Sequence, residues 1–494
     1  MTNYLSPADG WVIAVYLIGI IAFGLWFGRG QHNTRDYFLG GKNIPWWGVG
    51  LSIVATETSA LTFIGMPAMA YGPDNLTFLQ IIIGYVLARA VLAWVMVPHY
   101  FRGEIYSPYE LFARAFGPEA RRTVGAFFLI AGTLAAGVRV YVTCIPLRLL
   151  LGFAESQIIW AIVLFVGLSL IYTYVGGVKA VIWTDAVQFI LFLAGGMFAL
   201  CYVPMLVDGG WSGAWAKASE AGKLHWLNPG FALAKPFNLW MGVIGATFLV
   251  LSSHGADQLI VQRLLTCKNV RDGRKALLLS GAIIFPLLLV FLLTGTMLWV
   301  YYQQHALAIP LPEVRPGIAK NDYIFPIFIL TVVPSGVKGF LIVAILAAAM
   351  SSVSSALSAL ASVSTMDFLK PCARVERDEA HYLRLSKYST LFWAAMLVGV
   401  AYLTQRVDSV LSAAFSLGGL TSDAMLDRLL LAVFGRRGRP APVVAGMFSA
   451  LGVMLVLNQF WKTEVAWPWY TLIGTAVTLA VAGATRRLLK SAGD

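Results

Sequence analysis

The stretch that decides the fold reads Gly48-Val49-Gly50-Leu51-Ser52-Ile53-Val54-Ala55-Thr56-Glu57-Thr58-Ser59-Ala60-Leu61-Thr62-Phe63-Ile64-Gly65. One carboxylate and five hydroxyls lie in the middle of a run otherwise apolar enough to cross a bilayer. A charge at the centre of a membrane helix costs about 2.5–3.5 kcal/mol on insertion scales, so it is retained where a partner or a water-filled cavity compensates it. Five apolar runs later the pattern recurs at Leu251-Ser252-Ser253-His254-Gly255-Ala256-Asp257-Gln258. Two broken helices, each opening a set of five spans, are what a carrier built from inverted repeats requires. Their unwound carbonyls can take a cation and their half-helix ends can face a solute. A packing kink beside a miscut loop is the plainer reading of the same residues.

The rest of the chain suits a membrane setting. Of 494 residues 59% are hydrophobic and 12% charged, which excludes an ordinary water-soluble fold. Apolar runs of about 20 residues, enough to cross a hydrocarbon core of ~30 Å as helices, recur from end to end. Hydropathy predicts about thirteen spans in a single membrane transport domain over 1–494, with no room for a soluble catalytic domain. The core repeats fall at about 45–205 and 238–434, and peripheral helices at 9–28, 441–460 and 467–485. Met1 to Gly10 holds no Lys or Arg, so the first run reads as a retained helix and not a signal peptide. The four cysteines form no close pair and no metal spacing.

The net charge of +12 is a topology signal. The larger share of Lys and Arg falls in alternate loops beginning with 29–44, among them Arg121/Arg122, Arg263 to Lys275 and Lys370 to Lys387. That excess marks the cytoplasmic side and predicts the N-terminus outside and the C-terminus inside. The basic residues are therefore no nucleic-acid footprint.

Three further features carry polar chemistry. Ser351, Ser355, Ser358 and Ser362 follow steps of four, three and four residues and so share one helix face, with Ser352 and Ser354 beside them. Such a stripe serves as packing glue or, opposite an unwound backbone, as oxygen ligands for a hard cation such as Na⁺. Asp185, in Gly176-Gly177-Val178-Lys179-Ala180-Val181-Ile182-Trp183-Thr184-Asp185, reads as an ion ligand, a proton site or a helix-end charge hydrated from the cytoplasm. Arg139 lies midway along a span, in Ala135-Ala136-Gly137-Val138-Arg139-Val140-Tyr141. A guanidinium cannot shed its proton to escape desolvation, so Arg139 needs an acceptor. Either Glu57 supplies it, as an internal pair, or a solute carboxylate does. His254 and Asp257 could relay protons, although a membrane histidine also serves as a hydrogen-bonded packing residue.

Taken together, Ser351-Ser352 with Ser354-Ser355 closing at Thr365-Met366-Asp367, Gly176-Gly177 to Asp185, and Asp257-Gln258-Leu259-Ile260-Val261-Gln262-Arg263 resemble the sodium/solute symporter family, carriers of sugars, proline, sialic acid, vitamins and iodide. The resemblance covers nearly the whole chain. It implies an all-α polytopic membrane protein with an inverted five-plus-five helix repeat (LeuT-like) and flanking helices, placed in a bacterial inner membrane. It also implies a main sodium site from the carbonyls of Ala55, Thr58 and Ala348 and the hydroxyls of Ser351 and Ser352. A second sodium site would use Ser354, Ser355 and Asp185 together with Ser351. The solute cavity implied by the family faces Glu57, Ser59 and Thr62, with Asp257 and Gln258 from the second break. An arginine on the helix of Arg139 resembles the arrangement in the family's sialic-acid carriers and implies an organic anion. Two departures stand out: Glu57 replaces a neutral polar residue, and Asp423, Asp427 and Arg428 place three charges where relatives have glycines and apolar residues.

These readings predict a sodium-coupled symporter of a small polar solute, with Na⁺, the solute and the lipid bilayer as its partners. Alternatives are a sodium-coupled neutral sugar carrier, a proton-coupled carrier using Asp185, Glu57 or His254, and a solute-sensing membrane module. An enzyme fits least, because no nucleophile, base or metal cluster accompanies the polar breaks.

Overall fold

The computed structural model of the protein describes residues 4–150, 157–315, 318–373, 377–406, 440–461 and 463–491. Asp423, Asp427, Arg428 and the span expected over 408–434 lie outside them.

Helix α1 (Pro7–Phe27) starts where Ser6 and Asp9 cap one another in a reciprocal box with Pro7 in the first turn. A short α2 (Thr34–Leu39) leads to the first broken pair, α3 (Trp46–Glu57) and α4 (Ala60–Tyr71), bent by 62°. Next come α5 (Leu79–Val95), α6 (Tyr109–Phe116), α7 (Pro118–Leu150), α8 (Ile158–Met205) and the extramembrane α9 (Gly210–Glu220). The second broken pair is α10 (Ala246–Gly255), preceded by a π-turn at Met241–Gly245, and α11 (Gln258–Leu265), bent by 58°. The chain continues through α12 (Val270–Gln304), α13 (Ile324–Thr331), α14 (Val337–Val363), α15 (Glu379–Arg406), α16 (Pro440–Phe460) and α17 (Trp469–Ser491). A short antiparallel hairpin pairs Glu313–Arg315 with Ile318–Ala319.

Both interruptions read from the sequence are thus real bends. Among the described residues five helices are long and apolar enough to cross a membrane, or seven if each bent pair is one span. That is fewer than the thirteen spans expected from hydropathy, partly because two successive apolar runs join in the single helix α8. At 1.5 Å per residue its 48 residues run about 72 Å, more than twice a hydrocarbon core. The bend falls at Gly177 (φ 55, ψ −151), where a Cβ would lie 2.2 Å from the Tyr37 carbonyl oxygen. Only glycine accommodates both that conformation and that approach.

Helix α14 occupies the centre. It is buried on nearly every face and packs most extensively on α8, with α1, α3, α7 and α15 around it; its Ala and Ser residues permit the close approach. The rings of Phe63, Phe192, Phe291 and Phe325, with centroids 4.7 to 5.5 Å apart, tie α4 to α8, α12 and α13. Trp11, Ile18, Trp26, Trp94, Ile130 and Trp160 stay exposed, as lipid-facing residues do.

Candidate functional site

At the first break the backbone leaves the helix at Thr58 (φ −84, ψ 133) and re-enters through Ser59, the N-cap of α4. The Ser59 N–H donates to Thr62 Oγ1 (3.3 Å) instead of continuing the ladder to Ala55. The N–H groups of Thr62 and Phe63 both go to the Ser59 carbonyl (2.9 and 3.2 Å) and pass over Thr58. The carbonyls of Ala55 and Thr58 are therefore left outside the helical ladder by the bend itself. Helix α14 packs on this break. It brings Ser352, whose hydroxyl donates to the Ala348 carbonyl (3.2 Å), and Ser351, whose hydroxyl donates to Asp185 Oδ1 (2.7 Å). In both serines the donor is committed and the oxygen lone pairs remain. Three carbonyls and two hydroxyls form an uncharged hard-oxygen set that could hold Na⁺.

The residues read as a second sodium site converge as well, but around a different cation. Asp185 is fully buried and accepts from Ser52 Oγ (2.6 Å), Ser351 Oγ (2.7 Å) and Arg263 Nη2 (3.1 Å). The same guanidinium donates to Ser52 Oγ (2.9 Å), to Ser355 Oγ and to the Leu259 carbonyl. Ser354 and Ser355 both donate to the Ser351 carbonyl (3.1 and 2.6 Å). Two sequence expectations are corrected here. Asp185 is no hydrated helix end, and Arg263, counted there as a cytoplasmic loop charge, is completely buried because it compensates Asp185.

A cavity of about 250 Å³ opens between the two breaks. Its wall includes Thr56 and Ser59 from the first break, Ser253 and Asp257 from the second, Ser352 from α14 and Arg139 from α7. Phe128 and Phe165 supply apolar faces. Asp257 caps α11 by accepting from the Leu259 N–H (2.8 Å) and feels the charge of Arg139 without forming an ion pair with it. Three residues expected at the solute are turned elsewhere. Thr62 is spent on the Ser59 cap. Gln258 donates to the Tyr106 carbonyl (2.8 Å) and Ser362 Oγ (3.2 Å). Glu57 pairs with Arg89 and lies 3.6 Å from His254 Nε2, so the internal Glu57–Arg139 pair does not form. Sequence reading passed over Arg89; its only signal was a lone arginine inside an apolar span.

Two broken helices meeting at a mostly apolar cavity with a few polar and charged side chains in its wall, within a membrane bundle, are the working parts of a secondary transporter. The sodium:solute symporter family profile matches residues 37–451, and the chain belongs to that family. The sodium/sialic acid symporter NanT of Aliivibrio fischeri is 29% identical over 99% of this chain and 94% of its own length. The sodium/sialic acid symporter SiaT of Proteus mirabilis is 28% identical over 96% and 93%. A solved structure, the substrate-bound outward-open state of a Na⁺-coupled sialic acid symporter, superposes with a TM-score of 0.87 at 26% identity over 98% of both chains. Mhp1, a nucleobase-cation-symport-1 family transporter, shares the fold alone (TM-score 0.59, 14% identity, 92% and 94% covered). The protein is an integral membrane carrier that couples solute movement to sodium.

Proposed function

We propose that the protein imports an organic anion of the sugar-acid kind together with Na⁺ by alternating access. The observation that carries this reading is Arg139. Its side chain is exposed to the cavity and, among the described residues, meets no carboxylate or hydrogen-bond acceptor. A guanidinium at that depth calls for an acceptor, and a solute carboxylate supplies one through two parallel hydrogen bonds. Asp257, Ser59 and Ser253 then offer polar contacts for hydroxyls. Sialic acid, for which the two bacterial relatives are named, is a sugar acid, which supports the same class.

Sodium is held by the carbonyls of Ala55, Thr58 and Ala348 and the hydroxyls of Ser351 and Ser352. Binding there joins α14 to the first break and favours the state that receives the solute, which is how an ion can drive the cycle. The chain forms one membrane domain of about thirteen crossings with repeats over 45–205 and 238–434. Its N-terminus lies outside and its C-terminus in the cytoplasm of a bacterial inner membrane, a reading supported by the Lys and Arg distribution. Uptake of radiolabelled sialic acid into proteoliposomes tests the proposal. It should need an inward Na⁺ gradient, should not be driven by K⁺, and should be inhibited by sugar acids but not by glucose or galactose. Equal inhibition by neutral sugars overturns the anion reading.

A further inference from the structure

The cluster around Glu57 is not used by the cavity, yet it joins the two broken helices. Arg89, on α5, is completely buried and makes four contacts. It pairs with Glu57, donates to Ser280 Oγ on α12 (3.1 Å) and to the Tyr85 carbonyl (3.0 Å), and approaches His254 Nε2 at 3.0 Å. A guanidinium can only donate, so in its contact with Arg89 the His254 Nε2 accepts, and Nδ1 faces Ser253 Oγ 3.0 Å away. Glu57 and Arg89 carry opposite charges that cancel within the cluster.

Glu57 is the last residue of α3 and lies between Ala55 and Thr58, while His254 is next to last in α10. One side chain from the unbroken α5, braced on the unbroken α12, therefore grips the ends of both half-helices. We infer that Arg89 is a positioning residue for sodium: by holding the Glu57 side chain it anchors the backbone at Glu57, whose flanking peptides adjoin the two that carry the Ala55 and Thr58 carbonyls, and so limits where those carbonyls point. Ligating groups work only when held within about 0.5 Å of their productive geometry. The inference rests on the sodium site proposed above and adds what orients it.

The test reads thermal stabilisation of the purified protein by NaCl, titrated against KCl at constant ionic strength. Glu57→Gln/Arg89→Gln removes both charges, isosterically at Glu57 and with a shorter side chain at Arg89. It should fold with a melting temperature in KCl close to wild type and raise the half-stabilising Na⁺ concentration at least tenfold. Arg89→Lys, which keeps the charge but loses the fork, should raise it about threefold. Ser352→Ala, which deletes a ligand directly, is the control for the site itself. If wild type shows no Na⁺-specific shift, the sodium site is wrong and the inference falls with it. If wild type and Ser352→Ala behave as expected while the folded Arg89 variants keep the wild-type half-point, the site stands and the positioning role is overturned.

Discussion

Arg263 and Asp185 form a completely buried ion pair, Nη2 to Oδ2 3.1 Å, with Ser52 bonded to both partners. Buried pairs contribute little net stability relative to an apolar pair but are costly to break one-sidedly, by about 3–5 kcal/mol. Asp185→Asn should therefore lower the melting temperature sharply, and Asp185→Asn/Arg263→Gln should recover most of the loss. Additive effects in this cycle would mean that the two groups are not coupled.

Ser352 should behave differently. Among the described residues its hydroxyl bonds only to its own helix, at Ala348, and it stands at the cavity wall, so Ser352→Ala removes an oxygen without stranding a buried charge. Stability in KCl should change by less than about 1 kcal/mol, as for loss of one ordinary hydrogen bond. Sodium-driven uptake should need several-fold more Na⁺. An unchanged Na⁺ dependence would return the serine stripe to a packing role.

How far these residues could be read beforehand follows from the range of their interactions. The breaks near Glu57 and Asp257 were legible because a polar interruption of an apolar run is a local pattern, and the shared face of Ser351, Ser355, Ser358 and Ser362 because helical periodicity is local too. Arg263 was misplaced and Arg89 overlooked because what holds each is a carboxylate far along the chain, Asp185 and Glu57 respectively. Charge alone said topology. The bend at Gly177 was not legible because a positive φ inside a continuous helix leaves only a glycine in the sequence. Thr62 and Gln258, expected at the solute, were consumed by a cap and by a bond to α14, demands that composition does not reveal.

Lys223 lies in the turn that follows α9, outside the membrane-spanning segments. It donates to the Tyr71 and Gly72 carbonyls (3.0 and 2.6 Å) at the end of α4 and lies over the Trp299 ring. Burial lowers its pKa from 10.5 to about 8, with Asp74 opposing the shift. Between those values the unfolded chain binds the proton that the folded protein gives up, so stability rises with pH across the window. Melting temperatures measured from pH 7.5 to 9.5 should show a component of that sign which Lys223→Met abolishes. A slope identical in both proteins would assign it to other groups.

The most direct test of the solute's chemistry is at Arg139. Its position on α7, facing the cavity alongside Asp257 without pairing to it, leaves a planar fork of donors available at membrane depth. A carboxylate satisfies two of those donors at once, whereas an ammonium presents a point charge on a shorter reach. Arg139→Lys should therefore weaken a carboxylate solute by about tenfold to a hundredfold, or about 1.4–2.8 kcal/mol, within the range expected for a charge-assisted bond. Sodium-induced thermal stabilisation without solute should stay near wild type, because Arg139 is not among the proposed sodium ligands. Asp257→Asn should act on the other end. It keeps the oxygen that caps Leu259 but removes the charge, so it should weaken solutes rich in hydroxyl donors and spare simple monocarboxylates. If Arg139→Lys transports at the wild-type rate and affinity, the guanidinium does not read a carboxylate and its role is structural.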